Sequence, residues 1–159
     1  MTAPIEPHGT LEVALGHAAR LLERSPRLAI AQVQEILKIA PTHPQARLLL
    51  ARAQRLNGEL LVALQGLRPL AAEQPRAAAV FVELGLAEAE AEQGASAIRA
   101  LEHAVTLAPD APHAWRVLAD QYDAIGDVTR ASPVTLTDQG VVCNEALCAA
   151  GSDLSVPNS

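Results

Sequence analysis

The residue types able to do chemistry are few here and poorly placed for it. The five histidines, His8, His17, His43, His103 and His113, are scattered, and none stands three or four residues from another, the spacing that puts two imidazoles on one helix face for a metal ion. The two cysteines, Cys143 and Cys148, both fall near the C-terminus, so neither a disulfide framework nor the paired dyads of a zinc site can be drawn. Glu88, Glu90 and Glu92 alternate along the chain, which denies them a common helix face, and most of them are expected in solvent rather than in a catalytic or metal site. Residues 10–131 contain no glycine-rich phosphate loop, no Gly-x-Ser-x-Gly elbow and no cysteine beside a positioned histidine. No catalytic, cofactor-binding or metal-binding residue is assigned, no cofactor is implied, and an enzyme is not expected in this chain.

What the sequence does carry is a period. Pro41, Pro75 and Pro109 stand 34 residues apart, and the same phase relates Ala29, Ala63, Ala97 and Ala131. It also relates Leu50, Leu84 and Leu118, and the small residues Ala51, Gly85 and Ala119. A 34-residue unit holding two helix-length apolar patterns is the mark of a helix-turn-helix solenoid, in which each repeat buries its apolar face on its neighbour.

Composition agrees with that architecture. Half of the 159 residues are hydrophobic but only three are aromatic, so the core must be Ala, Leu, Val and Ile between closely approaching helices. The net charge of −6 argues against nucleic acid, whose phosphates need a clustered positive face. Residues 1–9 lack the basic start and apolar run of a secretory signal, and no long uncharged apolar stretch follows, so a cytoplasmic protein without membrane contact is expected.

The helices can be placed from their stripes and punctuation. A first helix is expected over about Leu11 to Glu23, capped by Thr10, after a disordered segment 1–9. A second follows the Ser25-Pro26 cap and stops before Pro41, since the residue ahead of proline is pushed out of the helical region. A third runs from His43-Pro44 to Leu56, ended by Asn57-Gly58. The fourth begins at Glu59 and meets Pro69, which is expected to kink it or end it early, with its last turn displaced. The fifth is expected over Arg76 to Gln93, the sixth over Ala95 to Leu107, and the seventh from Asp110-Ala111-Pro112 to near Gly126, with Asp127 able to cap an eighth. Because Gly94 lies two residues later in the period than Gly58 or Gly126, the fifth helix should be longer and the turn after it tighter.

Trp115, Leu118, Ala119, Tyr122, Gly126 and Ala131 resemble the tetratricopeptide repeat, whose motif has Trp, Leu, Gly, Tyr, a turn Gly and Ala in that order. Phe81, Leu84, Gly85, Ala97, Leu101, Ala104 and Pro109 fit a third unit, and Leu50, Ala51, Gly58, Ala63, Leu67, Leu70 and Pro75 a second. The first unit matches through Ala29, Val33, Ile36 and Pro41, but its Leu15-Gly16 pair lies one residue early. Arg47 replaces the Trp, and Gln54 and Glu88 replace the Tyr. The resemblance implies an all-α, right-handed solenoid of about three and a half repeats, with units at 10–43, 44–77, 78–111 and an incomplete 112–131. The stretch WRVLADQYDAIGD also looks like the N-terminal arrays of bacterial sulfotransferase-type proteins with such repeats, though neither a nucleotide-cradling loop nor a catalytic domain is present.

The pattern breaks near Ser132. Thr135, Asp138 and Cys143 would occupy positions that elsewhere hold core residues or the turn proline, and Pro133 falls inside the expected helix. Residues 132–159 are therefore expected to be irregular or disordered, and two readings stay open. One is a loosely ordered extension with a short helix at Asn144 to Ala150; the other is a changed reading frame that cuts off a longer array, which the coding DNA would decide. Either way the seventh helix lacks its pair, which predicts an exposed apolar strip beside Trp115, Leu118 and Tyr122, prone to self-association.

In the repeat family, the first helices of successive units line a concave groove for an extended peptide or a helix. Carried onto this phase, the resemblance implies groove sets Gln45, Ala79, His113; Leu48, Val82, Arg116; Leu49, Glu83, Val117; Arg52, Leu86, Asp120; Arg55, Ala89, Asp123; and Leu56, Glu90, Ala124. Such a groove would be basic at one end through Arg52 and Arg55 and acidic at the other through Asp120 and Asp123, polarity that could orient a peptide. The competing reading is that these charges pair with one another within the protein. The function expected is a noncatalytic protein or peptide scaffold, and the alternative is the detached N-terminal region of a larger sulfotransferase-type protein.

Overall fold

The computed structural model describes residues 7–126, 134–137 and 140–143. Seven helices follow one another: α1 (Pro7–Arg24), α2 (Pro26–Ile39), α3 (Pro44–Leu56), α4 (Leu60–Glu73), α5 (Ala78–Glu90), α6 (Gly94–Leu107) and α7 (Pro112–Ala124). Each packs on the next in sequence, and α1, α3, α5 and α7 also touch in succession. That second set of contacts lines up the first helices of successive units along one side of the stack.

The period is written directly into burial. Ala29, Ala63 and Ala97 are fully buried, as are Val33, Leu67 and Leu101, and Ile36, Leu70 and Ala104 lie in the core with them. Each triplet is one position repeated at 34 residues, so each unit's second helix turns the same stripe inward. The core runs through the stack as successive clusters: Leu15, Ala18, Val33, Ile36 and Ala46; then Ala51, Leu64, Leu67, Leu70, Val80 and Leu84; then Ile98, Leu101, Val105, Leu118 and Tyr122.

Gly85 sets the closest approach. A Cβ there would lie 2.5 Å from Leu101 Cγ and 2.8 Å from its Cδ2. With no side chain at 85, α6 seats Leu101 against the α5 backbone, as the small-residue series at this position anticipates.

Several expectations are corrected. α1 starts at Pro7 rather than after a Thr10 cap, because proline at the first helical turn forfeits only an N–H that has no helical partner. Ser25 makes no side-chain cap bond to α2, whereas His43 Nδ1 accepts from the Ala46 N–H at the start of α3. Pro69 does not end α4, which continues to Glu73; Leu67, Leu70 and Ala71, packed in the core on both sides of the proline, hold the turn in place.

α5 is not lengthened either, since it has 13 residues, as do α3 and α7. The turn after it stays in phase: Glu92, not Gly94, takes the left-handed conformation at φ 59°, where Gly58 has φ 84° and Gly126 φ 77°. Gly94 is instead the first residue of α6.

Beyond α7, strands β1 (Val134–Thr137) and β2 (Gly140–Cys143) pair antiparallel in the segment expected to be irregular, with Val134 opposite Cys143 and Thr137 opposite Gly140. The suggested helices after Asp127 and at Asn144 to Ala150 lie outside the described residues. The expected apolar strip on α7 is absent, because Leu118 and Tyr122 are buried against α6 and Trp115 is half-buried, its Nε1 donating to the Pro109 carbonyl at 2.9 Å. No helix among the described residues is long and apolar enough to cross a membrane.

Candidate partner groove

The first helices of the units enclose an open cleft of about 780 Å³ on the concave side. α1 contributes Glu12, Leu15, Gly16 and Ala19; α3 contributes Gln45, Leu48, Leu49 and Arg52; α5 contributes Ala79, Val82 and Glu83; α7 contributes His113. The helical stripe explains the set. Positions 45, 48, 49 and 52 recur at one face of α3, and the phase carries that face to 79, 82 and 83 and on to 113. The floor is aliphatic and partly built from glycine and alanine, so a peptide backbone can approach closely.

Of the expected groove residues, Gln45, Leu48, Leu49, Arg52, Ala79, Val82, Glu83 and His113 line the cleft. Arg55, Glu90, Arg116, Asp120 and Asp123 do not, nor do Leu56, Leu86, Ala89, Val117 and Ala124. The four α1 residues were missed because positions 45, 48, 49 and 52 carry back to 11, 14, 15 and 18, whereas the cleft takes 12, 15, 16 and 19, one residue later.

Charge in the groove differs from the simple gradient expected. Arg55 is half-buried and committed: its Nε donates to Glu83 Oε2 at 3.1 Å and its Nη1 to Glu90 Oε1 at 2.6 Å. It cannot serve as a free basic end, because both of its carboxylate partners come from α5. Arg52 sits beside the same Glu83, with Nε 3.4 Å from Oε1, and its side chain is 53% exposed. Arg52 makes no hydrogen bond among the described residues. At the other end Asp120 and Asp123 are exposed, and Arg116 Nη2 lies 2.8 Å from His113 Nδ1.

A second polar line joins α4 to α5 away from the cleft. Arg68 lies 3.5 Å from the buried Glu88, and its Nη2 donates to Gln93 Oε1 at 2.8 Å. Burial pushes the Glu88 carboxyl above the usual carboxylate range, and Arg68 and Arg99 partly offset it. Glu90 and Glu92 are exposed, in keeping with the expectation for most of the three, but Glu88 occupies the core-facing position that Tyr122 holds one unit later. Among the described residues, no group of three or more His, Cys, Asp or Glu is arranged to hold a metal ion.

No protein-family model and no curated protein matches the sequence. Solved structures do match the shape. A crystal structure of MamA superposes with a TM-score of 0.67 at 21% identity, over 76% of this chain and 71% of that one. MamA residues 41-end from Desulfovibrio magneticus RS-1 gives 0.68 at 24% identity, over 77% and 70%. The fold is an all-α solenoid of tetratricopeptide type. At these identities the likeness establishes the fold alone, and it lends no support to a link with sulfotransferase-type proteins.

Proposed function

We propose that this solenoid is a noncatalytic interaction module that holds an extended protein or peptide segment in its concave groove. The observation that carries the reading is the cleft itself: four successive first helices converge on one open, aliphatic-floored space with polar groups at its edges. A strand-like segment laid across those helices could place alternate side chains against Leu48, Leu49 and Val82 while its backbone meets Gln45 and His113. The similarity of shape to MamA is compatible with a scaffold role and is not what the proposal stands on.

The test is selection of binders from a displayed library of random peptides, followed by measurement of their affinity for the wild type and for Ala79→Trp. Ala79 is exposed on α5, and an indole there would fill the cleft while leaving the core untouched. Selected peptides should lose at least about tenfold in affinity on Ala79→Trp, the equivalent of one well-packed contact, with the melting temperature unchanged. A library that yields no binder, or binders indifferent to the tryptophan, would refute groove binding.

A further inference from the structure

We infer that the segment bound in this groove carries an aspartate or glutamate side chain, received by Arg52, next to an aliphatic residue seated on Leu48 and Val82. This rests on the proposed groove binding and adds the chemistry of the occupant. The inference starts from an imbalance between two neighbouring arginines. Arg55 and Arg52 stand three residues apart on α3 and both face Glu83, yet only Arg55 is hydrogen-bonded to it. Glu83 itself is 8% exposed. Its Oε2 is taken up by Arg55, and the 3.4 Å separation between its Oε1 and Arg52 exceeds a normal charge-assisted bond.

Arg52 therefore lines the cleft with its guanidinium ion-paired to Glu83 at Nε alone and hydrogen-bonded to no described residue. Five N–H donors in a fixed plane match a carboxylate in a two-point geometry that no other cleft residue offers. The remaining polar lining is Glu12, Gln45, Glu83 and His113, none of which is a fixed cation of that form.

The local charge disfavours a dianion: Arg52 and Arg55 only balance Glu83 and Glu90, Glu12 adds a further carboxylate to the cleft, and a phosphoryl group would face Glu83 at short range. A side-chain carboxylate carries half that charge and needs a single guanidinium edge, which the half-exposed Arg52 presents to the cleft. Leu48 lies one turn before Arg52 on the same α3 face, and Val82 stands opposite on α5, so the apolar contact and the ionic contact lie side by side.

The experiment uses the peptides selected on the wild-type protein, their affinities read by fluorescence anisotropy against wild type, Arg52→Ala, Arg52→Glu and Ala79→Trp, with circular-dichroism melts confirming that each variant folds. The selected peptides should share an Asp or Glu beside an aliphatic residue. Arg52→Ala should weaken them about tenfold, and changing the peptide acid to its amide should cost the same on wild type and nothing more on Arg52→Ala. Arg52→Glu should prefer the peptide with Lys in place of the acid. Peptides blocked by Ala79→Trp but indifferent to Arg52→Ala would overturn the carboxylate assignment and leave groove binding standing. Tighter binding of a phosphoserine peptide than of its aspartate counterpart, lost in Arg52→Ala, would likewise overturn it in favour of a phosphoryl ligand. Peptides unaffected by Ala79→Trp would remove both.

Discussion

Residue identity and position in the repeat compete at Glu92, and position wins. The turn between the two helices of a unit needs a left-handed residue at one place in the period, supplied by Gly58 and Gly126 in the second and fourth units. In the third unit Glu92 stands there, at φ 59°, while the nearby glycine opens α6. A non-glycine side chain in that conformation is strained by about 1–2 kcal/mol, and glycine's greater freedom in the unfolded chain gives back about 0.5–1 kcal/mol. Glu92→Gly is therefore expected to raise stability by about 0.5–1 kcal/mol, read as a higher urea midpoint at unchanged slope. Gly85 is the opposite case. A methyl group there would strike Leu101, which is fully buried and has nowhere to go. Gly85→Ala should cost about 1–3 kcal/mol, the usual penalty for overpacking a tight core. The two positions also show where sequence reasoning slips. The period alone located the left-handed turn, and following the nearest glycine instead led to a false shift in register.

At the scale of helices, the position of the motif Tyr is buried in three units and in two of them is tied to the helix before it. Gln54, Glu88 and Tyr122 occupy one place in three units, and all three are buried. Glu88 on α5 meets Arg68 on α4, and Tyr122 on α7 donates a hydrogen bond to Glu102 on α6, so two successive junctions carry a polar pair 20 residues apart in the chain. The motif flags an unusual residue but not its partner, which sits on the preceding helix; neither periodicity nor composition could reveal that pairing. The pair has a pH consequence. Glu88 binds its proton more tightly in the folded chain than unfolded, because burial raises its pKa above the ordinary 4.5. Stability from this group is highest below 4.5 and falls as pH rises through the raised value, so its ionised form is a burden at neutral pH. Glu73 has the opposite sign: the hydrogen bond from Arg47 lowers its pKa, and its contribution is present above 4.5 and lost as pH falls through the lowered value. Glu88→Gln should melt higher than wild type at pH 7, with the difference shrinking as the pH is lowered toward 4.5. Thermal melts across that range would show it, and a difference independent of pH would mean that Glu88 does not titrate in the fold.

For the whole molecule, stability and binding surface come from the same stacking. A single closed core would fail as a unit, but a chain of successive clusters, each shared by adjacent helices, passes stability from neighbour to neighbour. The solenoid and its phase were legible because Ala, Leu and Val recur at fixed 34-residue intervals, and the second-helix series Ala29, Ala63, Ala97 and Val33, Leu67, Leu101 is fully buried. The phase puts Gln45, Leu48, Leu49, Arg52, Ala79, Val82, Glu83 and His113 along the cleft for the same reason, but on α1 a one-residue offset hides Glu12 and Ala19. Leu84 tests the continuity of the stack. It is 8% exposed, in the cluster joining α3, α4, α5 and α6, so an aspartate there would lose the burial and leave a charge without a partner. Leu84→Asp is expected to cost at least about 3–5 kcal/mol, in the range of the largest core truncations. Hydrogen exchange should show protection collapsing over α4, α5 and α6, with α1 and α2, whose contacts lie in a separate cluster, retaining more. Because the cleft needs α3, α5 and α7 in one line, peptide binding should vanish in this variant even where α1 and α2 stay folded. Unchanged melting would contradict a stack held together by its neighbours, and uniform loss of protection from α1 to α7 would mean that the helices form one cooperative block instead.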